Sequence, residues 1–360
     1  MKGNRMADVA SRSGRMGWIA AIFVLLIVSG CGNGQPKSNE AGASAKPAGD
    51  VTLVIGAYSV AKDALQEIMP AFKAEWKKKT GQTVAFQESY EASGTQARAI
   101  IGGFEADVTL LALEGDMRKL AKAGLVDQEW ANNSYKGMVT RSIVVLGTRS
   151  GNPLGIRDFD DLAKPGVKVL YPNPKTSGGA QWDINAIYGA GLKKAERETG
   201  AKDPAAAKKF LEDVHRNIES MDKSGRASMA AFEYGVGDVI VTYENELLAR
   251  IAQGVAYDIV VPSSTILIEN PAAVVDRNAD RHGVREAADA FVAYLYSSEA
   301  QKLFAKHGFR PVEEKLAAEL GDKFPQPKDL FTIDYLGGWD QVRDTLYSKR
   351  GIWYQVLAGR

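Results

Sequence analysis

Short apolar runs alternate with amphipathic stretches of helical period from residue 51 to residue 307, and this alternation restricts the fold more than any other feature of the chain. Residues 51–55 read as a strand. Residues 63–79 read as a helix with Leu65, Ile68, Met69, Phe72 and Trp76 on one face. The pattern repeats with a strand at 83–87, a helix at 93–103, a strand at 108–113 and a helix at 114–123 that Gly124 ends. Further strands are expected at 142–147, 167–170, 239–243, 258–261 and 272–275. Further helices are expected at 180–191, 204–216, 244–253, 284–297 and 298–307. Strands separated by helices pair in parallel, so the chain is expected to build an α/β fold whose sheets are covered by helices. Open sheets of this kind hold ligands outside the carboxyl ends of their strands. The 310 residues after residue 50 are long for one core and comfortable for two.

The first fifty residues read differently. Lys2, Arg5, Arg12 and Arg15 form a basic region, and residues 18–28 are an apolar run too short to span a bilayer. The run stops at Val28-Ser29-Gly30-Cys31. Small residues directly before a cysteine resemble the lipobox of bacterial lipoproteins, which implies a signal over 1–30 and a lipid on Cys31. Cys31 is the only cysteine, so no disulfide forms within the chain. Residues 32–50 are rich in Gly, Ser, Ala, Pro and Asn, so 31–50 reads as a lipidated cysteine with a flexible tether. The formal charge is +1. The four basic residues above, offset by Asp8, carry +3 of it, which leaves about −2 for the remainder. Such a balance offers no basic field for nucleic acid.

Chemistry is expected in the turns after strands. In 168–182 an apolar run ends in Tyr171-Pro172-Asn173-Pro174, and Lys175-Thr176-Ser177-Gly178-Gly179 leads into a helix. Free N–H groups at a glycine-rich helix start can hold an oxyanion without a charged side chain, and the same string also occurs as a plain turn. Ser59 follows the first strand as an N-cap or a ligand donor. Ser93-Gly94-Thr95-Gln96 fits a capping box, with a hydroxyl and helix N–H groups that suit an anion equally. Residues 221–228 mix Asp222, Lys223 and Arg226 with small residues and read as a solvated loop. Tyr243 ends a buried strand, either packing or offering its hydroxyl.

An enzymatic site is not evident. His215, His282 and His307 fit no zinc spacing, and there is no H-E-x-x-H, G-x-S-x-G or P-loop motif. Gly235-Val236-Gly237 lacks the third glycine of a dinucleotide loop. A secreted phosphatase or sulfatase would need a metal cluster or an activated nucleophile, and neither stands at a recognisable spacing. No cofactor or metal is implied. A purely structural surface lipoprotein is the remaining alternative.

Taken together the turns resemble the periplasmic sulfate- and thiosulfate-binding proteins of ABC importers. The resemblance rests on Ala57-Tyr58-Ser59, Phe72-x3-Trp76-x3-Thr80-Gly81, Ser93-Gly94-x-Gln96, Gly103-x-Glu105-Ala106-Asp107-Val108 and Lys164-Pro165-Gly166-Val167. It continues through Asn173-x-Lys175-x-Ser177-Gly178-Gly179-Ala180-x-Trp182, Gly235-x-Gly237-Asp238-Val239, Glu244-Asn245-Glu246, Leu330 to Asp334 and Gly337-Gly338-Trp339. It implies a type II binding-protein fold, α/β in two lobes with mixed, mostly parallel sheets and a ligand shut between them. The implied lobes are 51–140 with 265–345, and 141–264, followed by a tail at 346–360. The implied ligand is sulfate, thiosulfate or a similar oxyanion, and the implied partner is an ABC permease. The protein would be a monomer held at the bilayer by its lipid, in the periplasm or on the outer face of the membrane. Carried onto this chain, the neutral donors are Ser59, Ser93, Ser177, Gly178, Gly179, Gly225 and Tyr243.

Four positions depart from that family. Serine stands at 59 where aspartate is usual, tyrosine at 243 for tryptophan, and glycine at 225 for alanine. Glu91 stands where glycine is preferred. Facing the cleft, Glu91 would repel a dianion; paired with Lys62, Lys175 or Arg226, or turned to solvent, it would do no harm. A fully ionised dianion has no proton to offer, so a site made only of donors suits it, whereas a protonated phosphate needs an acceptor. Phosphate, molybdate and an organic sulfonate are the rival ligands.

Overall fold

Strand β1 (Val51–Tyr58) lies between β2 (Val84–Glu91) and β3 (Val108–Leu110), parallel to both. Helix α1 (Lys62–Thr80) crosses from β1 to β2, α2 (Ser93–Ile101) crosses from β2 to β3, and α3 (Glu114–Lys122) follows. The five apolar residues expected on one face of α1 are all buried, and Phe72 stacks on Trp76 and meets Phe291 edge-on. Each such side chain contributes about 1.5–3 kcal/mol by leaving water. Gly81, at φ +75°, ends α1 in the left-handed conformation that glycine adopts most readily. This computed structural model describes residues 49–324 and 326–359. The expected signal segment, Cys31 and most of the tether lie outside the described residues.

Two long strands connect this group to a second one. Strand β4 (Met138–Arg149) leads into β5 (Val169–Leu170), which is flanked in parallel by β6 (Ile218–Ser220) and β7 (Val239–Tyr243). Helices α4 (Gly178–Thr199) and α5 (Pro204–His215) connect β5 to β6, and α6 (Gly225–Glu233) connects β6 to β7. Helix α7 (Glu244–Ala252), strand β8 (Tyr257–Val260) and strand β9 (Ser264–Val274) come next. Strand β9 pairs with β4 at mid-length, then with β3, while β4 continues to β7 and β8. The order is therefore β2-β1-β3-β9-β4-β7-β5-β6. Every antiparallel pairing involves β4 or β9, and the remaining pairings are parallel. This is the mixed α/β architecture expected from the alternation.

Three differences from expectation have local causes. Helix α4 does not stop at Gly191 but runs on to Gly200, at φ +81°. A Cβ on Gly191 would meet Ala207 Cα at 2.9 Å, so that glycine permits close approach of α4 to α5. Residues 221–228, expected as a solvated loop, contain the start of α6, with Ser224 accepting from Ala227 N at 3.2 Å. The third difference lies beyond β9. Helices α8 (Asp276–His282), α9 (Arg285–Tyr294), α10 (Ser298–Lys306) and α11 (Glu314–Glu319) are followed by strand β10 (Asp329–Phe331), parallel to β9. The segment after β10, with helices α12 (Gly338–Val342) and α13 (Ile352–Leu357), places Val342 and Leu346 against Tyr188, Leu192 and Ala207 of α4 and α5. The first lobe was expected to extend to residue 345, yet this segment packs on the helices of the second group.

The start of the described chain is pinned beside β1. Gly49 O accepts from Gln82 Nε2 at 2.7 Å, and Asp50 Oδ1 accepts from Thr83 N at 3.0 Å. No helix among the described residues is long and apolar enough to cross a membrane.

Candidate functional site

Six strands, parallel within each of two groups of three, end around one small cavity. Ser59 follows β1, Ser93 follows β2 and Ala112 follows β3. Ser177, Gly178 and Gly179 follow β5, Gly225 follows β6 and Tyr243 closes β7. All seven residues expected as ligand donors line this space, which measures about 20 Å³. One water needs roughly 10–15 Å³ by the same measure, so the cavity fits a ligand of a few heavy atoms. The topology explains the convergence, because the carboxyl ends of two parallel groups face each other across the β4–β9 pair.

Three helix starts border the cavity. Ser93 is the first residue of α2, Gly178 and Gly179 open α4, and Gly225 opens α6. N–H groups at these positions have no acceptor inside their helices, and no other acceptor meets them among the described residues. The positive ends of the helix dipoles reinforce them. Ser177 is the N-cap of α4, and its Oγ accepts from Ala180 N at 3.3 Å. Tyr243 is the N-cap residue of α7, and its buried hydroxyl has no partner among the described residues. Ser59 opens a single 3-10 turn and is half-buried.

Ser93 corrects the capping-box expectation. The N-cap of α2 is Ala92, which makes no side-chain cap. The Ser93 hydroxyl instead donates to Asp116 Oδ2 at 2.8 Å and accepts from Ala112 N at 3.0 Å. Its proton is thereby occupied, so Ser93 offers the cavity its backbone N–H. Gln96 Oε1 accepts from Ser89 Oγ rather than closing the box. Glu91 is exposed, forms no ion pair among the described residues and does not line the cavity. Arg226 pairs with Asp63 at 2.9 Å, while Lys62 and Lys175 lie over the rings of Tyr90 and Tyr354.

Among the described residues no Lys or Arg lines the cavity, but two carboxyls do, Asp183 and Glu246. Neither was singled out from the sequence as a site residue. Asp183 lies in the second turn of α4 and is 1% exposed, and its Oδ1 has no hydrogen-bond partner among the described residues. Burial pushes its carboxyl well above the usual carboxylate range, and the nearby Glu246 pushes the same way. Glu246 accepts from Thr242 Oγ1 at 2.8 Å. Burial raises its pKa too, against the pull of Arg226 and of the Thr242 hydrogen bond. Burial likewise holds the Tyr243 phenol well above its ordinary value, so it stays a neutral donor.

Several bonds cross between the two strand groups beside the cavity. Gly94 N donates to Thr176 O at 3.2 Å, and Trp182 Nε1 donates to Ala112 O at 2.8 Å. Asn270 of β9 adds a second donor to Ala112 O at 3.1 Å and accepts from Tyr58 and Thr140. Gly178 sits so close to the first group that an added Cβ would meet Ala112 Cβ and Leu113 Cγ, each at 2.9 Å. The three histidines are engaged elsewhere. His215 Nδ1 meets the Tyr171 hydroxyl at 2.6 Å, His282 lies between Glu105 and Asp107, and His307 meets Glu67. A larger groove of about 590 Å³ runs between α3, Lys175 and the C-terminal aromatics Trp339 and Tyr354. Unlike the smaller cavity, it is lined by cations, Arg118, Lys119, Lys122, Lys175 and Arg343.

A family model described as bacterial extracellular solute-binding protein matches residues 53–310. A sulfate-binding protein of Synechococcus elongatus is 40% identical over 346 residues, covering 94% of this chain and 95% of that protein. A thiosulfate-binding protein of Pseudomonas aeruginosa is 35% identical, covering 84% of this chain and 90% of its own length. Among solved structures, the sulfate-binding protein SubI from Mycobacterium tuberculosis superposes with a TM-score of 0.76 at 36% identity, covering 83% of this chain and all of that one. The chain belongs to the bacterial extracellular solute-binding proteins, among relatives that bind sulfate and thiosulfate.

Proposed function

We propose that the protein captures sulfate, or thiosulfate, outside the cytoplasmic membrane and delivers it to the membrane subunits of an ABC permease. One observation carries the reading: unpaired N–H groups from three helix starts, with Tyr243 and Ser59, converge on a cavity of about 20 Å³ that no Lys or Arg lines. A dianion there is neutralised by fixed dipoles in a dry space, where each hydrogen bond is stronger than in water. The donors are Ser59, Ser93, Ser177, Gly178, Gly179, Gly225 and Tyr243. The role is binding and not catalysis.

Residues 51–140 with 265–328 act as one lobe, and residues 141–264 with the packed C-terminal segment as the other. Strands β4 and β9 serve as the hinge, and the ion, touching both lobes, favours the closed arrangement. The protein works as a monomer tethered through a lipid on Cys31. Mass spectrometry of the mature chain tests the lipid. Titration calorimetry with sulfate, thiosulfate, molybdate and phosphate at two pH values tests the ligand. Tight phosphate binding without sulfate heat would remove sulfate. Asp183 is the one feature that favours phosphate as a second reading, because its Oδ1 offers an acceptor to a proton-bearing oxyanion.

A further inference from the structure

Among the described residues no cation acts on Asp183. Its charge acts on three phenols, those of Tyr171 just after β5, Tyr243 of β7 and Tyr347 of the C-terminal segment. The Tyr171 hydroxyl is engaged with His215, and the Tyr347 hydroxyl with Gln181 O and Asn185 Oδ1. The charged group that acts on Asp183 is another carboxyl, Glu246 of α7. The two guanidiniums that act on Glu246 are paired elsewhere, Arg226 with Asp63 and Arg250 with Glu233. An ionised Asp183 beside a bound dianion would put like charges into one dry cavity of about 20 Å³. A neutral carboxyl there would instead contribute one more O–H donor.

We propose that Asp183 carries a proton whenever an unprotonated oxyanion occupies the cavity, so that the ion and a proton bind together. This rests on the oxyanion reading above and adds the proton to it. Burial, which already favours the neutral acid, supplies part of the bias before any ion arrives. Once the ligand-free carboxyl ionises, sulfate affinity falls with rising pH, at most about tenfold per pH unit for one linked proton. Hydrogen phosphate brings a proton of its own and suits the ionised form. Asp183 thereby sets the selectivity between the two ions, and pH moves it.

The test is sulfate calorimetry from about pH 5 to about pH 9, in pairs of buffers with different ionisation enthalpies. The expected result is uptake of up to one proton per sulfate and a Kd that rises with pH. Asp183→Asn, which keeps the shape and a donor, should bind sulfate with little proton uptake and a flatter profile. Glu246→Gln removes the neighbouring charge and should shift the wild-type profile to lower pH. A wild-type Kd that stays constant without proton uptake overturns the proposal, as does an Asp183→Asn profile matching the parent.

Melting curves without ligand separate this from the oxyanion reading. A raised folded pKa leaves the stabilising contribution of neutral Asp183 intact below its unfolded value of about 3.9, and the contribution is lost as pH rises towards the folded value. The Asp183→Asn protein should therefore gain in melting temperature relative to the parent as pH rises above about 4. A pH-independent difference removes the proposal whatever the ligand. A pH-dependent difference with no heat from any oxyanion removes the oxyanion reading, and the coupled uptake falls with it.

Discussion

Adding one methyl group at Gly178 tests whether the two strand groups must approach each other to hold the ion. The Cβ of Gly178→Ala would lie 2.9 Å from Ala112 Cβ, 2.9 Å from Leu113 Cγ and 3.1 Å from Ser93 Cβ. Carbon atoms prefer about 3.5–4.0 Å, so three contacts are short by roughly half an ångström or more. Overpacking of this kind costs about 1–3 kcal/mol. All three neighbours belong to the other strand group, so the strain exists only while the groups are together. The amide N–H is kept, and alanine suits the first turn of a helix. The expected result is sulfate affinity weaker by about 5- to 150-fold, with a smaller change in ligand-free melting temperature. Titration calorimetry and melting curves on the same samples read both. Gly225→Ala is the milder comparison: its Cβ would meet one atom closely, Glu246 Oε2 at 3.0 Å, and Val60 Cγ2 at 3.4 Å, against three short contacts at Gly178. Its affinity should change less than about threefold, a few tenths of a kcal/mol. A Gly178→Ala protein that binds sulfate as tightly as the parent would refute the closure argument.

Ser177→Asp keeps an N-cap for α4 but places a charge against the ion, a repulsion of several kcal/mol; binding should be lost in calorimetry while the melting temperature holds. Arg310 and Glu244 form a buried two-pronged ion pair at 2.7 and 2.9 Å, so Arg310→Leu should cost about 3–5 kcal/mol in urea denaturation by leaving Glu244 buried without it. Burial lowers the pKa of His215 below its ordinary 6.5, so its neutral form stabilises the fold above that value. The contribution is lost as pH falls below 6.5 towards the folded value, and His215→Gln should flatten that acid limb in melting temperature against pH.

The periodic elements were legible because their pattern is local. The apolar face of α1, the strand Val239–Tyr243 and the cap at Ser177 follow from spacing and residue type alone. Strand β6 was not legible, since three partly exposed residues carry no period. The ends of β9 escaped because Glu269, Asn270 and Pro271 interrupt the apolar run, and only pairing with β4 keeps them in a strand. The seven expected donors do line one cavity; six of them stand at the ends of strands that the pattern announced, while Gly225 follows β6, which it did not. Asp183 and Glu246 were invisible as site residues. A carboxyl on a helix reads as its solvent face, and only contacts with distant segments bury these two. The Ser93 hydroxyl likewise depends on Asp116, 23 residues away, which no capping pattern encodes.

The pins at Gly49 and Asp50 hold the described chain at the amino end of β1, whereas the cavity lies beyond its carboxyl end. Eight extended residues separate the two, roughly 26 Å at the usual rise of a strand. The first described residues and the cavity thus stand at opposite ends of one buried strand, so whatever precedes Gly49 joins the folded part away from the strand ends that hold the ligand donors.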